Sequence, residues 1–211
     1  AAGCDWVGAD LSGYNLDGAN LSGAFLDGVS FAGASLVGAD LHDATFAGAD
    51  FSDANLSKAN LSGANLGKAT LMRTNLQEAN LTRAVLDQAR LDGANLRDAK
   101  LEGAVLIGIN FGRADISGAN FKKAKVLGLK TGPDMDAEKL LTGKLPTIKS
   151  MLNPIDISQV TAVGASMEKA TLIGLAGKNA NFSKVNFLNA SFAHCQLTGT
   201  NFSYANGLTT W

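Results

Sequence analysis

From Cys4 to Gly128 the chain repeats every five residues without one insertion, giving 25 consecutive units such as ADLSG at 9–13. The third position of every unit is apolar, from Trp6 and Leu11 through Phe121 and Val126. The first position is Ala in 20 of the 25, the exceptions being Cys4, Tyr14, Val29, Thr74 and Ile109. A period of five excludes the ordinary elements. On a helix with about 3.6 residues per turn the leucines would smear around the surface. On a straight strand they would alternate between faces. A corner in every unit resolves the conflict: a short extended wall turns positions one and three inward, and the next two residues bend the chain. Gly fills the fifth position in 14 units, which suits a corner that needs open backbone angles. Asn and Asp crowd the second position, where they are expected to face solvent. Such a chain coils, and its coils stack as parallel ladders about 4.8 Å apart.

ADLSG, ANLSG and ADFSD resemble the A(D/N)LXX motif of the pentapeptide-repeat proteins, many of them cyanobacterial, over nearly the whole chain outside 129–154. The resemblance implies an all-β fold, a right-handed quadrilateral parallel β-helix; the periodicity alone does not choose four walls over three. Four walls give about nine coils, with 4–128 as a first block of repeats, 129–154 as a non-repeat insertion loop, and 155–209 as a second block of about 11 repeats in one continuous solenoid. Leu61, Leu66, Leu71, Phe111, Phe182 and Phe187 are expected in the core. Large residues in the small first slot are expected only near an end. Tyr14 fits that expectation and Trp6 lies in the same first coil, while Phe182, Phe187, Phe192 and Phe202 suggest an aromatic-filled terminus; Trp6, Tyr14 and Phe202 are read as end plugs. Bare ladder ends invite stacking, so a homodimer by end-to-end packing is expected, or a further cap.

Residues 129–154 hold all three prolines, Pro133, Pro146 and Pro154, each lacking a donor that a ladder would use. Asp134 or Asp136 is placed to cap a short helix closed by Gly143. Lys130, Lys139, Lys144 and Lys149 outnumber the acids, and Leu140, Leu141, Leu145, Ile148, Met151 and Leu152 need a wall or a partner to rest on. The segment reads equally as an inert insertion and as a recognition element.

Chemistry is sparse. The two histidines, His42 and His194, sit at turns far apart and make no metal site within one chain. LIGLAGKN departs from a phosphate-binding loop: Leu172 replaces the first Gly, and no Ser or Thr follows Lys178. No catalytic group, metal site or cofactor site is found, and no stretch approaches the ~18 apolar residues of a membrane span. Cys4 and Cys195 both occupy the first slot, as small core residues too far apart to bridge; AAGC at the start also resembles the end of a lipoprotein signal. Two isolated cysteines suit a reducing cytosol, whereas AAGC favours export to a periplasm or thylakoid lumen.

Charge is polarised along the chain although the net charge is only −1. Residues 1–57 carry eight Asp and no Lys or Arg, whereas 58–128 carry eleven basic against six acidic residues. With four walls, Arg83, Lys100, Lys122 and Lys123 share one wall as a candidate partner-binding stripe, alongside Lys130, Asp134, Lys139, Lys144 and Lys149 of the insertion. Some pentapeptide-repeat proteins imitate duplex DNA and shield type II topoisomerases, but that needs a strongly acidic rod, and this one is near neutral with a basic middle. The expected function is a non-catalytic structural or protein-interaction module with a protein partner and no nucleic-acid partner.

Overall fold

The computed structural model describes residues 6–128 and 155–208. Each five-residue unit forms one wall of a right-handed, four-walled parallel β-helix. Bridges step by twenty residues, as in Asp10 to Ser30 to Asp50 to Thr70 to Arg90, so four units close each coil. Pentads 9–13, 14–18, 19–23 and 24–28 open the first to fourth walls. Pairing then crosses the insertion in register: Asp115 pairs with Thr161 and Asn120 with Ser166, a step of 46 residues in each case, one coil plus the 26 residues of 129–154. Gly128 donates its N–H to Ile173, and Ile155 donates to the next residue, Gly174. The segment therefore leaves and re-enters at adjacent positions, at the corner between the fourth and first walls.

The corners show why the unit has its composition. The N–H of Ala9 donates to the carbonyl of Trp6 at 2.9 Å, closing a four-residue turn over positions four and five, and this bond recurs along the chain. The fifth residue has φ near +60°, whether it is Gly18 or a residue with a side chain such as Lys58, Arg83 or Gln88. Glycine adopts this left-handed region without steric cost, which accounts for its enrichment there. The second position does more than face water. Its Asn or Asp Oδ1 accepts the N–H of the fourth residue, as from Ser12 to Asp10 (2.9 Å) and Gln77 to Asn75 (3.2 Å). That N–H points out of the ladder, and the side chain two residues upstream satisfies it. Asn side chains also bond between coils, Asn95 to Asn75 and Asn75 to Asn55, both at 3.0 Å.

Positions one and three fill the lumen. Leu61, Leu66 and Leu71 are wholly buried, as are their flanking alanines Ala59, Ala64 and Ala69, while Phe111, Phe182 and Phe187 are at most 3% exposed. Thr74 takes the small slot by donating its hydroxyl to the Phe51 carbonyl at 2.7 Å.

The expectation that large first-slot residues occur only near an end is overturned. Ile109, Ile155, Val160, Leu175 and Val185 all fill that slot deep in the core. At two of them the third slot shrinks in exchange, Val160 with Ala162 and Leu175 with Gly177. A Cβ on Gly177 would lie 2.8 Å from the Ile157 backbone, so glycine is required there by close approach. Around Ile157, which has no such exchange, the fit is looser: Phe111, Ile157 and Leu175 border an apolar cavity of about 20 Å³.

In several later units of two walls the two-residue turn gives way to extended backbone. On the fourth wall β1 (Val105–Ile107), β2 (Lys125–Leu127), β4 (Thr171–Ile173) and β6 (Ser191–Ala193) form one parallel sheet. On the first wall β3 (Ile155–Asp156), β5 (Leu175–Lys178) and β7 (Gln196–Thr198) form another, which absorbs the degraded repeat at 175–179.

Candidate partner-binding surfaces

With the lumen filled, chemistry is confined to the outer walls. Lys130, Asp134, Lys139, Lys144 and Lys149 lie outside the described residues, as does Cys4. The remaining sequence-derived candidates, Arg83, Lys100, Lys122 and Lys123, all fall on the third wall, but two of these charges are neutralised. Lys122 Nζ lies 3.3 Å from Glu168 Oε2, and Lys123 Nζ lies 3.7 Å from Glu102 Oε1. Lys122, with help from Lys169, holds the Glu168 carboxyl below the usual carboxylate range. Arg83 and Lys100 have no ion pair among the described residues. Among the described residues the stripe is therefore two unpaired cations set in a row of ion pairs.

At the ends, Trp6 is half-buried against the core, and Phe202 stacks on Phe182 with ring centroids 5.8 Å apart. Tyr14 is 60% exposed. Cys195 is a half-buried free thiol whose Sγ lies 3.4 Å from the Ala193 carbonyl, and burial pushes its pKa up. Its reactivity falls accordingly.

The first wall carries a feature that sequence reasoning missed. A trench runs along it as two adjoining cavities of about 610 and 320 Å³ that share Asp156 and Ser158. Successive coils place Arg73, Asp92, Arg113, Asp156 and Lys178 along it, in alternating sign. Gly93, Gly112 and Ala176 keep it open. Arg73 forms a two-pronged pair with Asp53 (Nε–Oδ1 2.7 Å, Nη2–Oδ2 2.6 Å), which holds the Asp53 carboxyl below its ordinary range. Arg113 and Lys178 have no ion pair among the described residues. Asp92 Oδ2 is out of contact with water and has no hydrogen-bond partner. The signal was present in the sequence as residues spaced by twenty, but which side chains reach one another and which leave space between them are properties of the folded wall.

Among the described residues no group of three His, Cys, Asp or Glu side chains is arranged to hold a metal ion, and no helix is long and apolar enough to cross a membrane.

A four-walled solenoid with a packed lumen and polar ladders outside defines a repeat protein whose chemistry is all on its surface. The family model for pentapeptide repeats matches eight copies, within residues 1–33, 26–63, 34–71, 70–106, 94–126 and 178–206. The chain belongs to the pentapeptide-repeat family. Among solved structures it is similar to HetL of the cyanobacterium Nostoc sp. strain PCC 7120, a pentapeptide repeat protein involved in heterocyst differentiation regulation. The two share 25% identity at a TM-score of 0.58, covering 97% of this chain and 88% of HetL. It is similar in fold to QnrB1, a plasmid-mediated fluoroquinolone resistance protein, at 19% identity and a TM-score of 0.60, covering 92% of this chain and 84% of that one. A search of curated proteins finds no match.

Proposed function

We propose that this chain is a non-catalytic interaction scaffold that holds a protein partner on a solenoid wall or on the 129–154 segment. The observation that carries this reading is the filled lumen: from Leu26 to Phe187 the inward side chains are buried, so recognition is left to the walls. HetL, which is involved in heterocyst differentiation regulation, gives the reading a precedent in the same fold. The test is cross-linked capture from host lysate with the intact chain beside a form lacking 129–154. That deletion joins residues already adjacent in the coil, so the ladder is expected to survive, with circular dichroism as the check. Partners lost with the segment assign recognition to it; partners retained assign it to the walls; no specific partner for either form sinks the proposal.

End-to-end pairing of two copies belongs to the same proposal. Leu188 and Tyr204 are exposed near the last coil, beside half-buried Leu197, Phe202 and Ala205. Light scattering across a concentration series tests it, and a monomer throughout counts against it.

A second reading, DNA mimicry toward a type II topoisomerase, rests on the eight Asp of residues 1–57. Several of those carboxylates are engaged internally, Asp17 and Asp27 each accepting an N–H from the next coil and Asp53 pairing with Arg73. Their value as phosphate stand-ins is reduced accordingly, and a supercoiling assay with no inhibition or protection at micromolar protein removes this reading.

A further inference from the structure

We propose that the first-wall trench binds an extended, polyproline II-like peptide segment carrying acidic residues three apart. This rests on the interaction-scaffold reading and assigns it a wall and a partner chemistry. The trench spans the coils from Arg73 to Thr198, about 24 Å at the parallel-strand spacing. Arg113 and Lys178, its cations without an ion pair among the described residues, stand two coils apart, about 10 Å. A polyproline II helix has three residues per turn and rises about 3.1 Å per residue, so side chains at i and i+3 leave the same side about 9.3 Å apart. Two carboxylates with that spacing meet both cations at once. Arg73 is already satisfied by Asp53 and serves as the trench's closed end.

Between the cations lies negative charge. Asp156 lies in the coil between them, its Oδ2 3.6 Å from the point where a Cβ on Gly112 would sit, and Asp92 flanks Arg113 on the other side, its Oδ1 3.4 Å from the same point. A continuous polyanion such as single-stranded nucleic acid would set phosphates against this floor. A peptide instead presents neutral residues with free backbone N–H groups between its acids, and polyproline II backbone has no internal hydrogen bonds to occupy them. Gly93 and Gly112 carry no side chain to obstruct the backbone's approach.

The test is fluorescence anisotropy with the full chain and a labelled peptide of Asp-Thr-Gln repeats. Controls are the Asn-Thr-Gln counterpart, a peptide with Asp at every second residue, and oligothymidylate. The expected result is salt-sensitive binding of the first peptide only. Arg113→Glu with Lys178→Glu weakens it about tenfold, whereas Lys184→Glu on the second wall leaves it unchanged. Arg113→Gln and Lys178→Gln repeat the test without charge reversal should the double variant misfold. Equal binding of oligothymidylate or of the differently spaced peptide overturns the proposal, as does no peptide binding. If host partners still cross-link to the Arg113→Glu, Lys178→Glu chain, the trench assignment fails while the scaffold reading stands. If even the unaltered chain captures none, the scaffold reading itself fails.

Discussion

The stretch from Leu26 to Val126 and the stretch from Ile155 to Leu208 build the same coil by different means. In the first, Ala keeps slot one small, Leu or Phe fills slot three, and most corners are two-residue turns with a left-handed fifth residue. In the second, Ile155, Val160, Leu175 and Val185 invade slot one, extended strands replace several turns, and phenylalanines crowd toward the end. At two units of the second stretch the paired volume of slots one and three is kept close to that of the first, as Leu175 with Gly177 shows against Ala64 with Leu66. The Ala-Leu assignment is one solution to a volume constraint, and the second stretch contains others. Aromatic clustering is not confined to the end either: Phe31 stacks on Phe51 at 4.8 Å, with Phe46 packed edge-on against them.

The contrast is broken most severely by charge in the lumen. Leu66→Asp places an unpaired carboxylate among wholly buried leucines and is expected to cost several kcal/mol, enough to abolish cooperative thermal unfolding. The same change at half-buried Leu197 is expected to leave a folded protein of lower stability. Equal losses would mean that the last coil is packed as tightly as the middle. Next comes the volume exchange: Gly177→Ala drives a methyl into the Ile157 backbone and is expected to cost about 1–3 kcal/mol by urea unfolding. Gly112→Ala, whose nearest neighbours would lie at 3.4 Å, serves as the control and is expected within about 0.5 kcal/mol of wild type.

A smaller effect separates the polar ladders from the core. Asn75→Ala removes bonds to Asn55, Asn95 and the Gln77 N–H and is expected to cost about 1–2 kcal/mol. A neutral result would mean that water replaces the ladder without loss. Gln88→Gly relieves a left-handed residue (φ 58°) and is expected to raise stability by a net ~0.5 kcal/mol, steric relief exceeding glycine's added chain entropy. The last effect is pH-dependent. His42 Nδ1 lies 2.8 Å from Asp40 Oδ1, and that bond raises the histidine's pKa above its ordinary 6.5. A raised histidine stabilises the fold while protonated, fully so below its unfolded pKa, and the contribution is lost as pH rises through the folded pKa. Thermal melts from about pH 5.5 to 8 are expected to show a shallow fall that His42→Gln flattens; a slope unchanged by the substitution would assign it elsewhere.

Much of the fold was legible because a repeat states its own rules many times. Slots one and three, the glycine corners and the buried places of Leu66 and Phe187 follow from the five-residue register alone. The role of the second-slot Asn and Asp was not legible, because their outward direction conceals a hydrogen bond to a backbone group two residues on. The Arg73–Asp53 pair and the trench were hidden for a different reason. They join residues on one wall of neighbouring coils, and a four-wall register aligns such residues without saying which side chains meet and which leave a trench. Once twenty is known, Arg73, Gly93 and Arg113 fall into one column.

The twenty-residue step makes wall membership an arithmetic property of the chain. Loss or gain of four units shortens or lengthens the rod and leaves every downstream surface facing the same way. Loss of a single unit keeps each inward leucine in its slot yet swings everything downstream by a quarter turn. A core assay would scarcely register such a change, while Arg113 and Lys178 would part company whenever the lost unit lay between them. Surface function in this molecule is therefore far more sensitive to the number of repeats than to their spelling, and the 26 residues at 129–154 are tolerated because they add nothing to that count.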